Sequence, residues 1–244
     1  MGNRSLCFRT SQGKRISLSK ILVIGDMHAP WVSKPCMEFI FKMIKRFEPS
    51  HIVQIGDAVD FYSASHFPRS HFITPQDEFM QARECLEKIF SHIQKIAPKA
   101  EVHLLKGNHC NRVMKRSQQM SPELEYMMGL SIKEYFTFTN VITHHNSREE
   151  VEIDDILFTH GHLSGLGKHA QYYQRKVVCG HSHKGGTFFE QSYDGRTIWE
   201  LNAGYCADPL SKVMTYTPTK YSKSTLGVGL VDNGVPIFVP FVKS

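Results

Sequence analysis

Long apolar runs are missing from this sequence of 244 residues. No segment approaches the roughly 18–20 consecutive apolar residues that a membrane-spanning helix requires. The longest mostly apolar stretch without a charge, Asn233–Val242, is interrupted by Gly234, Pro236 and Pro240. The first residues also lack the apolar core of a secretory signal, and Leu6 stands where N-myristoylation requires Ser or Thr. We therefore expect a soluble, cytoplasmic protein with no membrane partner.

Closely spaced cysteine pairs are absent as well. The six cysteines are Cys7, Cys36, Cys85, Cys110, Cys179 and Cys206, and none of them forms a CxxC motif. They are spread over a chain well above the size of disulfide-stabilised mini-proteins. We expect reduced thiols, several of them buried.

Acidic residues are missing from positions 1–25, which contain five basic residues. The other 219 residues carry 24 basic and 23 acidic groups, so most of the chain is nearly neutral. This balance does not favour a general nucleic-acid surface, and no stable nucleic-acid partner is expected. The basic start is either a transit peptide or a plain N-terminal extension; we favour an extension over residues 1–19, followed by one domain over residues 20–244.

Short β-branched runs alternate with amphipathic segments in the first half of the chain. Alternation of strands and helices is typical of a parallel sheet covered by helices, and 41% hydrophobic residues suffice for a large core. The predicted strands are Lys20–Gly25, His51–Ile55 and Glu101–Lys106, and the predicted helices run from Ser33 to about Phe47 and from a Thr74 cap to about Ala97.

Strands and turns dominate the second half. Asp194-Gly195 and Asn233-Gly234 are typical of hairpin turns. We expect a second, mostly antiparallel sheet packed on the first. The predicted strands are 137–144, 151–159, 176–179, 187–193, 197–202, 226–231 and 235–241.

Residues that ligate metals follow each predicted strand of the first half directly after a glycine. The carboxyl ends of parallel strands meet at one edge of a sheet, so these side chains should lie together. The second half adds two histidine pairs that also follow strands. The five segments are Gly25-Asp26-Met27-His28, Gly56-Asp57-Ala58-Val59-Asp60, Gly107-Asn108-His109, His160-Gly161-His162 and Gly180-His181-Ser182-His183.

The order of these motifs resembles the calcineurin-like metallophosphoesterase superfamily, from Lys20 to at least Asn202. The resemblance implies an α/β fold (an α+β sandwich) of two packed mixed β-sheets flanked by helices, with a dinuclear metal site at the strand-end rim. It implies that one metal is held by Asp26, His28, Asp57 and His183, and the other by Asp57, Asn108, His160 and His181.

A bridging Asp57 is physically sensible, because two cations about 3.5–4 Å apart need a carboxylate to offset their repulsion. The mixed nitrogen and oxygen ligands suit two divalent ions such as Mn, Fe, Co, Ni, Zn or Mg. The resemblance implies attack by a metal-bridging hydroxide, with His109 as general acid. Asp60 would orient His109 and keep it protonated, although a helix cap or loop hydrogen bond is an alternative role for Asp60. His162 is expected to contact a loop or substrate rather than a metal.

Two departures from the pattern bear on the substrate. Phe61 and Cys110 stand where protein Ser/Thr phosphatases of the superfamily carry Arg and Glu. Protein phosphatase activity is therefore not expected, and His109 depends more strongly on Asp60. We expect Cys110 to be a packed neutral thiol rather than a reactive one.

Substrate contacts must come from other residues. Arg112 lies three positions after His109, close enough to reach a phosphate that Asn108 also contacts. The segment 61–69, with His66 and Arg69, could form a wall for a base or sugar, and Tyr205 is a further candidate. A solvated helix face is the alternative for Arg112, and lid packing is the alternative for the aromatic loops.

Within the superfamily, the chain is similar to the small metallophosphoesterases of tailed phages, a group that includes a deoxynucleoside-5'-monophosphatase. This likeness implies a small phosphorylated substrate, a (deoxy)nucleoside 5'-monophosphate, and a host cytoplasm if the chain is of phage origin. The alternative is a phosphodiesterase, either a DNA nuclease or a cyclic-nucleotide phosphodiesterase, although the near-neutral charge argues against duplex binding. A scaffold without catalysis is disfavoured, because every ligand position and the His109–Asp60 pair are present.

Overall fold

The computed structural model describes residues 19–65, 71–120, 136–144, 150–211 and 224–243, together with two short strands near the start. These two strands, β1 (Phe8–Arg9) and β2 (Arg15–Ile16), pair antiparallel within the predicted N-terminal extension. The candidate substrate contacts His66 and Arg69, and also Cys7, lie outside the described residues.

Six strands form the first sheet, in the order β13-β12-β3-β4-β5-β6. The central strands are parallel, because helices connect β3 to β4 and β4 to β5, while β12 runs antiparallel to both β3 and β13. The strands are β3 (Ile21–Ile24), β4 (His51–Gln54), β5 (Glu101–Leu104), β6 (Ile142–Thr143), β12 (Gly227–Asp232) and β13 (Val235–Pro240).

Five strands form the second sheet, in the order β10-β11-β9-β8-β7. Its two outer pairs are antiparallel, whereas β9 lies parallel to both β8 and β11. The strands are β7 (Glu150–Ile153), β8 (Ile156–Thr159), β9 (Val177–Cys179), β10 (Gly186–Gln191) and β11 (Thr197–Asn202).

Four details of the predicted second half are wrong. The second sheet is mixed rather than mostly antiparallel, and the Asn233-Gly234 hairpin joins the first sheet through β12. The predicted strand 137–144 contributes only Ile142–Thr143, which pairs parallel with β5. The predicted strand 151–159 is a hairpin, because Asp154 and Asp155 adopt φ values of 52° and 63° and supply the two left-handed positions of a tight turn.

Four helices accompany the sheets in the described residues: α1 (Lys34–Phe47), α2 (Pro75–Ile96), α3 (Arg112–Met120) and α4 (Lys168–Tyr173). The predicted starts of α1 and α2 are confirmed to within one residue. The Thr74 hydroxyl oxygen accepts a hydrogen bond from the Asp77 backbone N–H at 3.1 Å, which satisfies an otherwise unpaired donor of the first turn of α2. None of these helices is both long enough and apolar enough to cross a bilayer.

Two hydrophobic cores follow from the alternation of side chains along the strands. Leu22, Ile24 and Ile52 face α1 and α2 on the outer side of the first sheet. Ile21 and Val53 face the opposite way and pack against the second sheet. The predicted arrangement of two packed mixed sheets flanked by helices is therefore confirmed.

Candidate metal centre

All seven predicted metal ligands lie at the carboxyl ends of five strands. This edge collects them because β3, β4 and β5 run parallel in the first sheet, and β8 and β9 run parallel in the second. The ligand positions are Asp26 and His28 after β3, Asp57 after β4, Asn108 after β5, His160 after β8, and His181 and His183 after β9.

Several of these residues have a strained backbone. The φ values of His28, Asp57, His181 and His183 lie between 47° and 62°, in the left-handed region that non-glycine residues rarely adopt. Such conformations cost roughly 1–3 kcal/mol each and persist only where the surrounding structure fixes them. Holding these side chains in their orientations therefore lowers the stability of the fold.

Two glycines leave room for the carboxylates. A Cβ atom at Gly107 would collide with the Oδ1 atom of Asp57, and one at Gly180 would lie 2.5 Å from Oδ1 of Asp26. The third and fifth motifs therefore need glycine at these positions, because an aspartate that follows another strand approaches each of them closely.

The first group of donor atoms contains Asp26, His28 and His183. His28 Nδ1 donates to Asp60 Oδ1 at 2.9 Å, so His28 Nε2 keeps a lone pair, which faces His183 Nε2 at 3.1 Å. His183 Nε2 also lies 3.1 Å from Asp26 Oδ2, a buried oxygen with no hydrogen-bond donor of acceptable geometry. Three electron-pair donors thus converge on one point, as a bound cation requires.

The second group contains Asp26, Asp57 and His160, with Asn108 and His181 beside them. His160 Nδ1 donates to the carbonyl oxygen of Ile55 at 3.2 Å, which turns its Nε2 toward the group. That nitrogen lies 3.2 Å from Asp57 Oδ2 and 2.9 Å from Asn108 Oδ1. The Asn108 oxygen is also 2.8 Å from His181 Nδ1.

The electrostatics of the two groups call for positive charge. Burial opposes ionisation of Asp26 and Asp57, but the neighbouring imidazoles outweigh it and lower the pKa of both carboxyls. Burial likewise opposes protonation of His160, yet Asp57 and Asp26 raise the pKa of this imidazole to about 9. Buried carboxylates and imidazoles with convergent lone pairs fit a pair of divalent cations of intermediate softness.

His109, the predicted general acid, lies beside these groups. Its Nδ1 donates to Asp60 Oδ1 at 2.6 Å, and its backbone N–H donates to Asp57 Oδ1 at 2.8 Å. The Nη2 group of Arg112 donates to His109 Nε2 at 2.9 Å. A guanidinium has no acceptor, so this arrangement contains the neutral imidazole.

Asp60 joins two histidines of the site rather than capping a helix. Its carboxylate accepts from both His28 and His109 and is itself 0% exposed. Burial opposes its ionisation, but the hydrogen bonds from His109 and His28 lower the pKa of Asp60 well below its usual range. Asp60 therefore fixes the tautomer of both rings.

Arg112, like Asn108, is a predicted substrate contact that lies at the site. Besides His109 Nε2, it contacts the Asp60 carbonyl oxygen at 3.1 Å and Asp60 Oδ1 at 3.4 Å. Tyr205 is placed differently: its ring stacks on His183 with centroids 5.1 Å apart, and only 5% of the residue is exposed. The ring of His162 packs edge-on against His169, and His162 belongs to neither donor group of the candidate metal centre in the described part of the chain.

Sequence reasoning missed two residues that shape the site from beneath. Buried Glu78 accepts from the backbone N–H groups of Tyr62 and Ser63 at 2.6 and 2.7 Å, which fixes the segment directly after Asp60. Buried His169 accepts from the backbone N–H groups of His162 and Leu163, which shapes the loop after His160. The signal for Glu78 was an acidic residue on the buried face of α2, one turn before Ala82.

Comparisons with known proteins give one family model and one curated relative. Residues 19–195 match the family model described as calcineurin-like phosphoesterase. The Gene 54 protein of Mycobacterium phage L5 is 23% identical over 210 residues, which cover 76% of this chain and 78% of the relative.

Two solved structures are similar at low sequence identity. YfcE, a phosphoesterase from E. coli, aligns with a TM-score of 0.42 and 18% identity, covering 89% of this chain and 90% of that one. Vps29 of Chaetomium thermophilum aligns with a TM-score of 0.42 and 14% identity, covering 87% of this chain and 84% of that one.

Proposed function

Because the chain belongs to the calcineurin-like phosphoesterase family, whose members are metal-dependent phosphoester hydrolases, we propose that it is a phosphomonoesterase acting on (deoxy)nucleoside 5'-monophosphates. The observation that carries the proposal is the convergence of the donor atoms of Asp26, His28, Asp57, His160 and His183 beside the His109–Asp60 pair. The products are the nucleoside and inorganic phosphate.

The proposed assignment of ligands gives each cation four residues. Asp26, His28, Asp57 and His183 hold one, and Asp57, Asn108, His160 and His181 hold the other. When bound, divalent ions such as Mn²⁺ would neutralise phosphate charge and lower the pKa of a bound water molecule, so that hydroxide is available to attack phosphorus at neutral pH.

Arg112 and His109 have different roles in this proposal: Arg112 binds the phosphate and His109 serves the leaving group. Phosphate oxygens are stronger acceptors for a guanidinium than a neutral imidazole, so substrate draws Arg112 away from His109 Nε2. The freed Nε2 then takes a proton from solvent water, while the hydrogen bond from Nδ1 to the Asp60 carboxylate holds the ring in place. From there His109 donates the proton to the departing alkoxide.

The environment of Phe61 supports a small substrate rather than a phosphoprotein. Its ring is 2% exposed and packs 6.1 Å from Phe79 and 6.3 Å from Phe136, so this position belongs to the core. Arg112 supplies a cationic side chain to the site instead. The nucleoside is proposed from the likeness to tailed-phage enzymes.

A substrate panel tests the proposal. The purified chain is chelated, supplied with Mn²⁺, Co²⁺ or Mg²⁺, and assayed for phosphate release from 5'- and 3'-nucleotides, a phosphopeptide, bis-p-nitrophenyl phosphate and a cyclic nucleotide. We expect release from 5'-monophosphates, and the ratio of deoxy to ribo substrates shows whether the pocket reads the 2' position. Cleavage of the diesters with inert monophosphates would replace the proposal with a phosphodiesterase.

Arg112→Ala should lower kcat/KM for a phosphomonoester by about 10²-fold, because a preorganised charged donor to the phosphate is lost. Arg112→Lys should recover only part of this loss, since an ammonium lacks the planar fork of a guanidinium. Steady-state kinetics measure the effect, and Lys115→Ala, an exposed cation on the same helix, is the matched control. An Arg112→Ala enzyme with unchanged kcat/KM would remove Arg112 from the substrate site.

A further inference from the structure

A second cluster of histidines lies at the opposite end of the first sheet. His51 is the first residue of β4 and pairs with Glu101, the first residue of β5. His103 follows Glu101 on the same face of β5, and His144 comes directly after β6. Since β4 and β5 begin at this cluster and end near the candidate metal centre, the two groups are separated by the length of the strands.

We call His51, Glu101, His103 and His144 the amino-end cluster. The distances between donor atoms of the first three residues match those between ligands of one metal ion. His51 Nδ1 lies 3.4 Å from His103 Nε2, and Glu101 Oε1 lies 3.2 Å from the same nitrogen. One donor atom from each of the three residues lies within 4.8 Å of the other two. Two nitrogen ligands of a tetrahedral Zn²⁺ ion, with bonds of 2.0–2.1 Å, are about 3.3 Å apart.

His144 supplies the support that a ligating histidine usually has. Its Nε2 lies 3.1 Å from His103 Nδ1, and the two rings are stacked with an interplanar angle of 20°. When His103 Nδ1–H donates a hydrogen bond to His144 Nε2, the neutral ring keeps a lone pair on His103 Nε2, which faces His51 and Glu101. A second hydrogen bond of this kind orients the ring and increases its basicity toward a metal.

The three proposed ligands differ in how much of the side chain is exposed to solvent. The His103 side chain is 5% exposed, whereas Glu101 is 51% exposed and His51 is half-buried. Burial lowers the pKa of His103 to about 4, so this imidazole is neutral near pH 7 and available as a ligand. A rigid buried ligand and two more accessible ones leave an approach from solvent.

We propose that His51, Glu101 and His103 form a separate binding site for a divalent transition-metal ion, with His144 as the positioning residue. Two imidazoles and one carboxylate suit Zn²⁺, Co²⁺, Ni²⁺ or Cu²⁺ better than Ca²⁺ or Mg²⁺. The bound ion would join β4 to β5 and leave one coordination position for water. The rival arrangement is a plain hydrogen-bonded row in which His103 Nε2 donates to Glu101.

Zinc content distinguishes the two arrangements. The full chain and its variants are dialysed to equilibrium against excess Zn²⁺, and bound zinc per chain is measured by atomic emission. We expect His51→Ala and Glu101→Ala each to lose one equivalent relative to the parent chain, with unchanged hydrolysis. His92→Ala, which removes an exposed histidine of α2, should lose none.

Two further measurements keep the test decisive. Circular dichroism verifies that each variant is folded, and the partly exposed Glu101 provides a substitution that leaves the buried ring in place. Asp57→Asn should lose zinc from the candidate metal centre while the equivalent removed by His51→Ala remains. Equal zinc content in the parent chain, His51→Ala and Glu101→Ala would overturn the proposal and leave the hydrogen-bonded row.

Discussion

Asp57→Asn should abolish phosphate release and lower the metal content of the chain together. The substitution keeps the size of the side chain and an oxygen that can accept from the His109 N–H, but it removes the charge that faces His160 Nε2 at 3.2 Å. Stabilisation of transition-state charge by metal ions is worth several kcal/mol, and every 1.36 kcal/mol changes the rate tenfold. We therefore expect a loss of at least about 10³-fold in kcat.

Metal analysis and kinetics on the same preparation measure both effects. Asp155→Asn is the matched control, because Asp155 is 81% exposed in the β7–β8 turn and Asn also tolerates its left-handed backbone. Full activity in Asp57→Asn, or loss of activity with undiminished metal, would exclude Asp57 as the shared ligand.

His109→Ala should separate proton donation from metal binding. We expect kcat to fall by about 10²–10⁴-fold for an alkyl ester such as a nucleotide, because the leaving alkoxide then departs without a proton donor. p-Nitrophenyl phosphate should lose far less, since its leaving group is a weak base. The metal content should stay unchanged, because the donor groups around Asp26 and Asp57 do not include the ring of His109.

The comparison of the two substrates is the decisive measurement for His109. His92→Ala, which changes an exposed histidine of α2, should leave both rates unchanged. A parallel loss on both substrates would mean that His109 does not act as the general acid, and its ring would then act by positioning Asp60 and Arg112.

The sequence predicted that the candidate ligands would lie together, because they occupy a repeated local context. Asp26, Asp57 and Asn108 each follow a short apolar run and a glycine, and parallel strands bring such positions to one edge whatever the rest of the fold does. The helices α1 and α2 were equally predictable, since apolar periodicity and an N-terminal proline or threonine define them locally.

Partners that depend on tertiary packing could not be predicted in this way. No local pattern assigns the Asn233-Gly234 hairpin to the first sheet, because its first strand, β12, pairs with β3, more than 200 positions earlier. The contact between Arg112 and His109 Nε2 depends on the turn that begins α3. The amino-end cluster is assembled from three strands, so its histidines never form a short motif.

Anomalous diffraction from crystals loaded with Mn²⁺ locates bound cations independently of turnover and so tests the two-metal site itself. We expect two manganese peaks roughly 3.5–4 Å apart, with the Asp57 carboxylate between them, Asp26 and His183 at one peak and Asn108 and His160 at the other. A single peak, or manganese bound away from Asp57 in crystals of active protein, would contradict the proposed two-metal site.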